Sequence, residues 1–287
     1  MLGRFSILVS ALVLGACATR PSADGTAGSQ AHVDAMAREH AGHTPVANEA
    51  TMDPRTPVVA QEVEYSVDGA RVRGYEARPA GAAANASLPS VVVIHEWWGL
   101  NDNVRMMARR LAGEGYRVLA VDMYEGQVAQ SPEQARTLMQ GVMQNPSRGI
   151  AHLAGAVRSL EERTGAQRIG IMGWCFGGGW ALQGALNLPD KFDAAVMYYG
   201  RVVTDREQLS RLRAPLLGLF GADDQGIPVD QVRQMEATLR DLGKDATIQV
   251  YPGAGHAFAN PSGQAYKADV AGGAWRRTTS HFAQHLR

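Results

Sequence analysis

In the stretch RIGIMGWCFGGGWALQGAL, residues 168–186, a cysteine stands between a branched apolar run and a cluster of glycines. A strand that turns directly into a helix strains its turning residue, and Gly173 and Gly177, two positions either side of Cys175, remove the side chains that would collide there. Unpaired N–H groups and the helix dipole at the start of the following helix favour thiolate over thiol, so Cys175 has the setting of a nucleophile. The turn lacks the Lys-Ser/Thr ending of a phosphate-binding loop and the GxGxxG spacing of a dinucleotide site. A nucleophile needs a base and a group to orient that base. LLGLFGADDQGIPVDQV sets Asp223 and Asp224 just past an apolar run, TIQVYPGAGHAFANP sets His256 in a glycine-containing loop past another, and VVVIHEWWGL offers His95 and Glu96 past a third.

The elements that must position these groups follow from the apolar pattern. VVAQEVEYSVDGARVRGYEARP has two alternating stretches about Asp68-Gly69, which predicts a β-hairpin. After it, SVVVIHE, RVLAVDMY, RIGIMG, AAVMYYG, APLLGLFG and ATIQVYP alternate with helix-length segments near 102–114, 131–143, 147–163, 177–187, 229–242 and 264–286. Runs this apolar suit strands covered on both faces, so the expected class is α/β, with a mainly parallel central sheet, helices on both faces and the hairpin at its start. Active groups in such sheets gather at the carboxyl ends of strands. The order nucleophile, acid, histidine is that of an α/β-hydrolase, and it disfavours His95, which precedes the cysteine, as the base.

The remaining residues bound the setting. The 287 residues carry 28 basic and 28 acidic side chains, so no basic excess points to nucleic acid or an anionic surface. MLGRFSILVSALVLGACATR joins Arg4 to a short apolar stretch and small residues ending at Cys17, the pattern of a signal peptide over residues 1–16. LGAC resembles the lipobox of bacterial lipoproteins, which implies a lipid on Cys17 and a place in the cell envelope, facing the periplasm from the outer membrane in a Gram-negative cell. Residues 17–57 are rich in Ala, Ser, Thr, Gly, Pro, Asn and His and are expected to form a flexible tether, with His32, His40 and His43 as linker residues rather than metal ligands. The folded domain is expected over residues 58–287, as a monomer.

From the hairpin to the C-terminus the chain resembles the dienelactone hydrolase family: GWCFGGG is similar to its G-x-C-x-G-G, GADDQGIP to its G-x-x-D-x-x-[VI]-P and GAGHAF to its histidine loop. The resemblance selects Asp224 over Asp223 and implies Cys175 as nucleophile, His256 as general base and acid, and Asp224 as the group holding the imidazole. Glu96 falls where the family carries a glutamate that contacts the resting thiol and helps generate thiolate. The implied reaction is attack on an ester or lactone carbonyl through a thioester, with backbone N–H groups of Trp97 and Phe176 holding the oxyanion and with neither metal nor organic cofactor. Trp98, Tyr124, Arg136, Trp174 and Asn260 are the pocket candidates. Asn260 stands where the family places an arginine, and Pro132 and Arg136 where it places arginine and tyrosine, which puts dienelactone itself in doubt as substrate. Cleavage of amides, or ligand binding without turnover, are the competing readings, and the absence of a nearby second cysteine disfavours a redox role.

Overall fold

The computed structural model describes residues 23–40 and 53–287. The signal peptide, Cys17 and His43 lie outside the described residues. A first helix, α1 (Ala23–Glu39), precedes the hairpin strands β1 (Val58–Val67) and β2 (Ala70–Pro79). Then come β3 (Ser90–Ile94), α2 (Asp102–Ala112), β4 (Arg117–Val121), α3 (Pro132–Gln144), α4 (Pro146–Thr164) and β5 (Ile169–Trp174). The chain closes with α5 (Phe176–Asn187), β6 (Ala194–Tyr198), α6 (Arg206–Ser210), β7 (Leu216–Gly221), α7 (Val229–Asp241), β8 (Ala246–Tyr251) and α8 (Ala268–Leu286).

The strands form one eight-stranded sheet in the order β1-β2-β4-β3-β5-β6-β7-β8. Asp68 (φ 49°) and Gly69 (φ 83°) both take the left-handed conformation that a two-residue hairpin requires, which fixes Val67 opposite Ala70. β2 joins β4 antiparallel, and β3 to β8 pair in parallel. β3 through β7 are buried at every position, as strands covered by helices on both faces must be. β3 lies between β4 and β5, so the chain builds first to one side and then to the other, and the crevice at this switch is where such sheets hold their ligands.

Local chemistry sets the helix starts: Asn101 caps α2, Ser131 caps α3, and Asn145 caps α4 ahead of Pro146. The short α6 is an addition to the pattern expected from periodicity, and α8 begins a few residues later than expected because residues 260–267 close turns, with Lys267 N–H donating to the Phe258 carbonyl. Among the described residues no helix is long and apolar enough to cross a membrane.

The segment expected to be a flexible tether contains α1. Its sequence lacks an apolar stripe, and among its described side chains Val33 and Met36 are the apolar ones in the core. Contacts with the domain hold it: Asp34 pairs with Arg136 of α3, and Gln140 donates to Gln30 at 3.3 Å. Tertiary packing rather than propensity stabilises this helix, which is why periodicity did not reveal it.

Across the hairpin side of the sheet lies a buried charge cluster. Arg117, fully buried, donates to Glu76 Oε1 at 2.6 Å and to the Ala84 carbonyl at 2.9 Å, and Arg163 of α4 donates to Glu76 Oε2 at 2.7 Å. One carboxylate thus ties β2 to β4 and α4. Glu76→Ala, which strands the Arg117 guanidinium in the core, is expected to cost about 3–5 kcal/mol of unfolding free energy, read as a lowered denaturant midpoint.

Candidate active site

β5 ends at Trp174 and α5 begins at Phe176, leaving Cys175 alone at the turn with φ 54° and ψ −117°. Left-handed backbone at a residue with a side chain is strained, and the glycines make it possible. A Cβ on Gly173 would lie 2.3 Å from the Gly177 carbonyl carbon, and one on Gly177 would lie 2.3 Å from the Ile94 carbonyl oxygen. Cys175 is itself the N-cap residue of α5, where no side chain caps the helix, so it stands at the positive end of the helix dipole. Tyr199 (φ 35°) and Ala257 (φ 58°) are also in left-handed backbone, beside β6 and His256 respectively.

Asp224, past β7, and His256, past β8, meet through a 2.8 Å hydrogen bond between Nδ1–H and Oδ2. The other carboxylate oxygen accepts from the Gly226 and Ile227 amides, both at 2.8 Å, so the loop fixes the carboxylate before the imidazole reaches it. Asp223 is exposed and makes no such contact with the imidazole. Nε2 of His256 is left for the thiol. Burial alone would lower the pKa of this imidazole; the Cys175 charge first, and then Asp224, outweigh burial and hold it well above 6.5. The imidazole is therefore held toward its charged form between sulfur and carboxylate.

Both oxygens of Glu96 are engaged, Oε1 by the Tyr199 hydroxyl at 3.3 Å and Oε2 by the Asn260 amide. Burial pushes its pKa up to about 7, against the opposing pull of the His256 charge and of the Tyr199 and Asn260 hydrogen bonds. Asn260 thus acts on Glu96, and Tyr199 is a site residue that sequence reasoning missed; its only signal is the doubled tyrosine before Gly200. His95 is stitched to backbone on both sides, Nδ1 to the Glu96 carbonyl at 2.6 Å and Nε2 to the Met123 amide at 3.1 Å, which occupies both nitrogens and removes it as a base.

The other candidates divide. Trp97 and Trp98 lie with ring centroids 5.0 Å apart on the loop after β3, and Tyr124 packs 5.4 Å from Phe176 while lining a 220 Å³ cleft with Leu138, Arg148 and His152. Trp174 packs on Tyr198 at 5.8 Å, at the end of its strand. Arg136 is committed to Asp34 of α1.

α1 covers the site. Met36 Sδ lies 3.9 Å from Cys175 Sγ, and the ring of His40 stacks on Trp97 at 4.5 Å and meets His256 edge-on at 5.3 Å. Gly226, two residues after Asp224, makes room: a Cβ there would lie 1.9 Å from Met36 Cε. His32 is pressed into the same surface, and burial first, then the charges of Arg201 and His256, lower its pKa to about 3. Cys175 is left 2% exposed and His256 1%.

Fold and site together define an α/β-hydrolase with a thiol at its elbow. The sequence profile of the dienelactone hydrolase family matches residues 72–286, and the chain belongs to that family. It is 32% identical over 235 residues to protein usf of Aquifex pyrophilus, covering 79% of this chain and 100% of that protein. A candidate carboxymethylenebutenolidase of Escherichia coli K12 is 32% identical over 256 residues, covering 84% of this chain and 93% of its own. The crystal structure of a candidate dienelactone hydrolase from Klebsiella pneumoniae superposes with a TM-score of 0.72 at 31% identity, over 80% of this chain and 100% of that one. α1 lies outside the residues the family profile matches.

Two measurements probe this geometry. The Glu96 pKa in the fold exceeds its unfolded value of 4.5, so its stabilising contribution is complete below that value and is lost as pH rises through about 7. Melting curves from about pH 4 to about pH 9 are expected to show wild-type stability falling relative to Glu96→Gln as pH rises to about 7 and running level with it above that. A chain starting at Asp53, which lacks α1 but keeps the Thr56 bond to the Gly113 carbonyl, is expected to alkylate at Cys175 at least about tenfold faster than the full chain, read by mass spectrometry with iodoacetamide.

Proposed function

We propose that the protein hydrolyses carboxylic esters or lactones through Cys175, His256 and Asp224. The observation that carries this reading is the 2.8 Å Asp224–His256 pair converging on a cysteine held in strained backbone at the head of α5. Cys175 Sγ attacks the carbonyl carbon, and the carbonyl electron pair moves to oxygen, where the Phe176 and Trp97 N–H groups receive it. Collapse breaks the C–O bond, the leaving alkoxide takes the proton from His256 Nε2, and a thioester remains on sulfur. Water then gives a proton to His256 and attacks the thioester; the second collapse returns the thiolate and releases the carboxylic acid. With a lactone, the leaving hydroxyl stays on the acyl group and departs with it.

Glu96 shares this buried space as a second titrating group. Deprotonated, it favours the charged imidazolium; protonated, below about pH 7, it no longer does. Asn260 is neutral and turned to Glu96, so it offers no cation for a substrate carboxylate, and Arg136 is paired with Asp34 while α1 covers the site. This favours neutral esters and lactones over an anionic dienelactone. The LGAC sequence at Cys17 supports a lipid-anchored place in the cell envelope, with the hydrolase domain on its periplasmic side.

The test is turnover of short p-nitrophenyl esters and small lactones by the chain starting at Asp53. Cys175→Ala is expected to lower kcat by more than about 10³-fold with the melting temperature preserved. Turnover that survives this change removes the thiol from the chemistry. A wild-type protein with its thiol reduced that binds such esters without turnover is a ligand-binding member of the family.

A further inference from the structure

The tract HVDAMAREH carries His32, Met36 and His40 at four-residue steps, which on a helix is one face. In sequence these residues have no cysteine nearby. In space the face lies on the elbow: one ligating atom each from His40, Cys175 and His256 falls within 4.8 Å of the others, all three residues are buried, and Met36 Sδ adds a thioether 3.9 Å from the thiol. We propose that Met36, His40, Cys175 and His256 form a site for a soft, thiophilic metal ion, copper(I) in preference to zinc(II), which clasps α1 onto the elbow and holds the hydrolase closed.

Geometry permits it. Metal–ligand bonds of about 2.0–2.3 Å in a tetrahedron set ligating atoms roughly 3.3–3.8 Å apart, so the cluster needs only to contract by about 1 Å. The Sδ–Sγ distance is already close to this range. The donor set selects the ion. One thiolate, one thioether and two imidazoles are soft to intermediate ligands, and thioether in particular suits copper(I). The nearby hard oxygens are committed elsewhere, those of Asp224 to His256 and two amides and those of Glu96 to Tyr199 and Asn260. The Asp224 hydrogen bond also orients His256 as carboxylates orient metal-bound histidines.

Charge balance points the same way. Bound to the ion, Cys175 is a thiolate and His256 carries no proton on Nε2. A monovalent ion leaves that pair with no net charge, the proton it displaces goes to solvent, and no electron moves. A divalent ion would add one uncompensated charge to a water-poor site, which is costly. Hydrolysis itself needs no metal; the ion removes the nucleophile and base from use. The inhibitory consequence rests on the esterase reading, whereas the binding site does not.

The experiment is anaerobic titration of the full, reduced chain with copper(I) buffered by a colorimetric copper(I) chelator, alongside ester turnover. Expected are one ion bound and one proton released per chain, loss of turnover at the same midpoint, and recovery on adding excess chelator. Met36→Leu and His40→Ala should each weaken binding by at least about tenfold while leaving ion-free turnover at or above the wild-type rate. Equal affinity in wild type and both variants would mean that the thiol alone takes the ion, and would overturn the site. Failure to bind a stoichiometric ion would also overturn it, and zinc(II) displacing copper(I) at equal concentration would overturn the assignment of the ion. Chelator competition reads binding without turnover, so a failure of the esterase reading is seen separately.

Discussion

The site depends on how closely backbone can approach backbone at one turn. α5 starts so near the ends of β3 and β6 that side chains are excluded: a Cβ on Gly177 would meet the Ile94 and His95 carbonyls at 2.3 and 2.5 Å, and one on Gly178 would meet the Tyr198 carbonyl at 2.4 Å. This close approach drives Cys175 into left-handed backbone and presents its sulfur above the sheet. It also fixes where the loops after β3 and β6 run, and so where Glu96, Trp97 and Tyr199 stand relative to that sulfur. The strain is sustained because the five strands beneath are buried throughout and held in register.

Rigidity at the turn would be of little use if the neighbouring loops were loose. His95 ties the loop after β3 to the loop after β4, its Nδ1–H donating to the Glu96 carbonyl and its Nε2 accepting from the Met123 N–H, and its ring stacks on Phe176 at 5.6 Å. The two proposed oxyanion donors, on separate segments, are thereby braced by one imidazole. Asp224 is fixed in the same way by two amides of its own loop. The charged groups the chemistry would use are oriented before any substrate arrives, which is the condition under which hydrogen bonds and dipoles stabilise developing charge without reorganising.

Much of this was legible in the sequence for physical reasons. Strands buried on both faces leave continuous apolar runs, a strained strand-to-helix turn demands glycines, and a hairpin turn with two left-handed residues writes Asp-Gly. What was not legible depends on contacts between distant segments. Nothing local marks Tyr199 as a partner of Glu96, and only the two hydrogen bonds to His95 distinguish a structural imidazole from a base. Arg117 reads as the polar start of a strand until Glu76 is seen opposite it. α1 was the largest omission, because a helix without an apolar stripe carries no periodic signature and takes its order from the surface it covers.

That covering also sets a clock. A sulfur 2% exposed beneath a methionine is reached by peroxide, disulfide or alkylating agent only during the fraction of time that α1 is lifted. The chemical lifetime of Cys175 is then the lifetime of the same sulfur when uncovered divided by that open fraction, and each tenfold decrease in the open fraction extends it tenfold. The docking strength of α1 thus sets, through a single equilibrium constant, both how often the site opens and how long its thiol survives an oxidant.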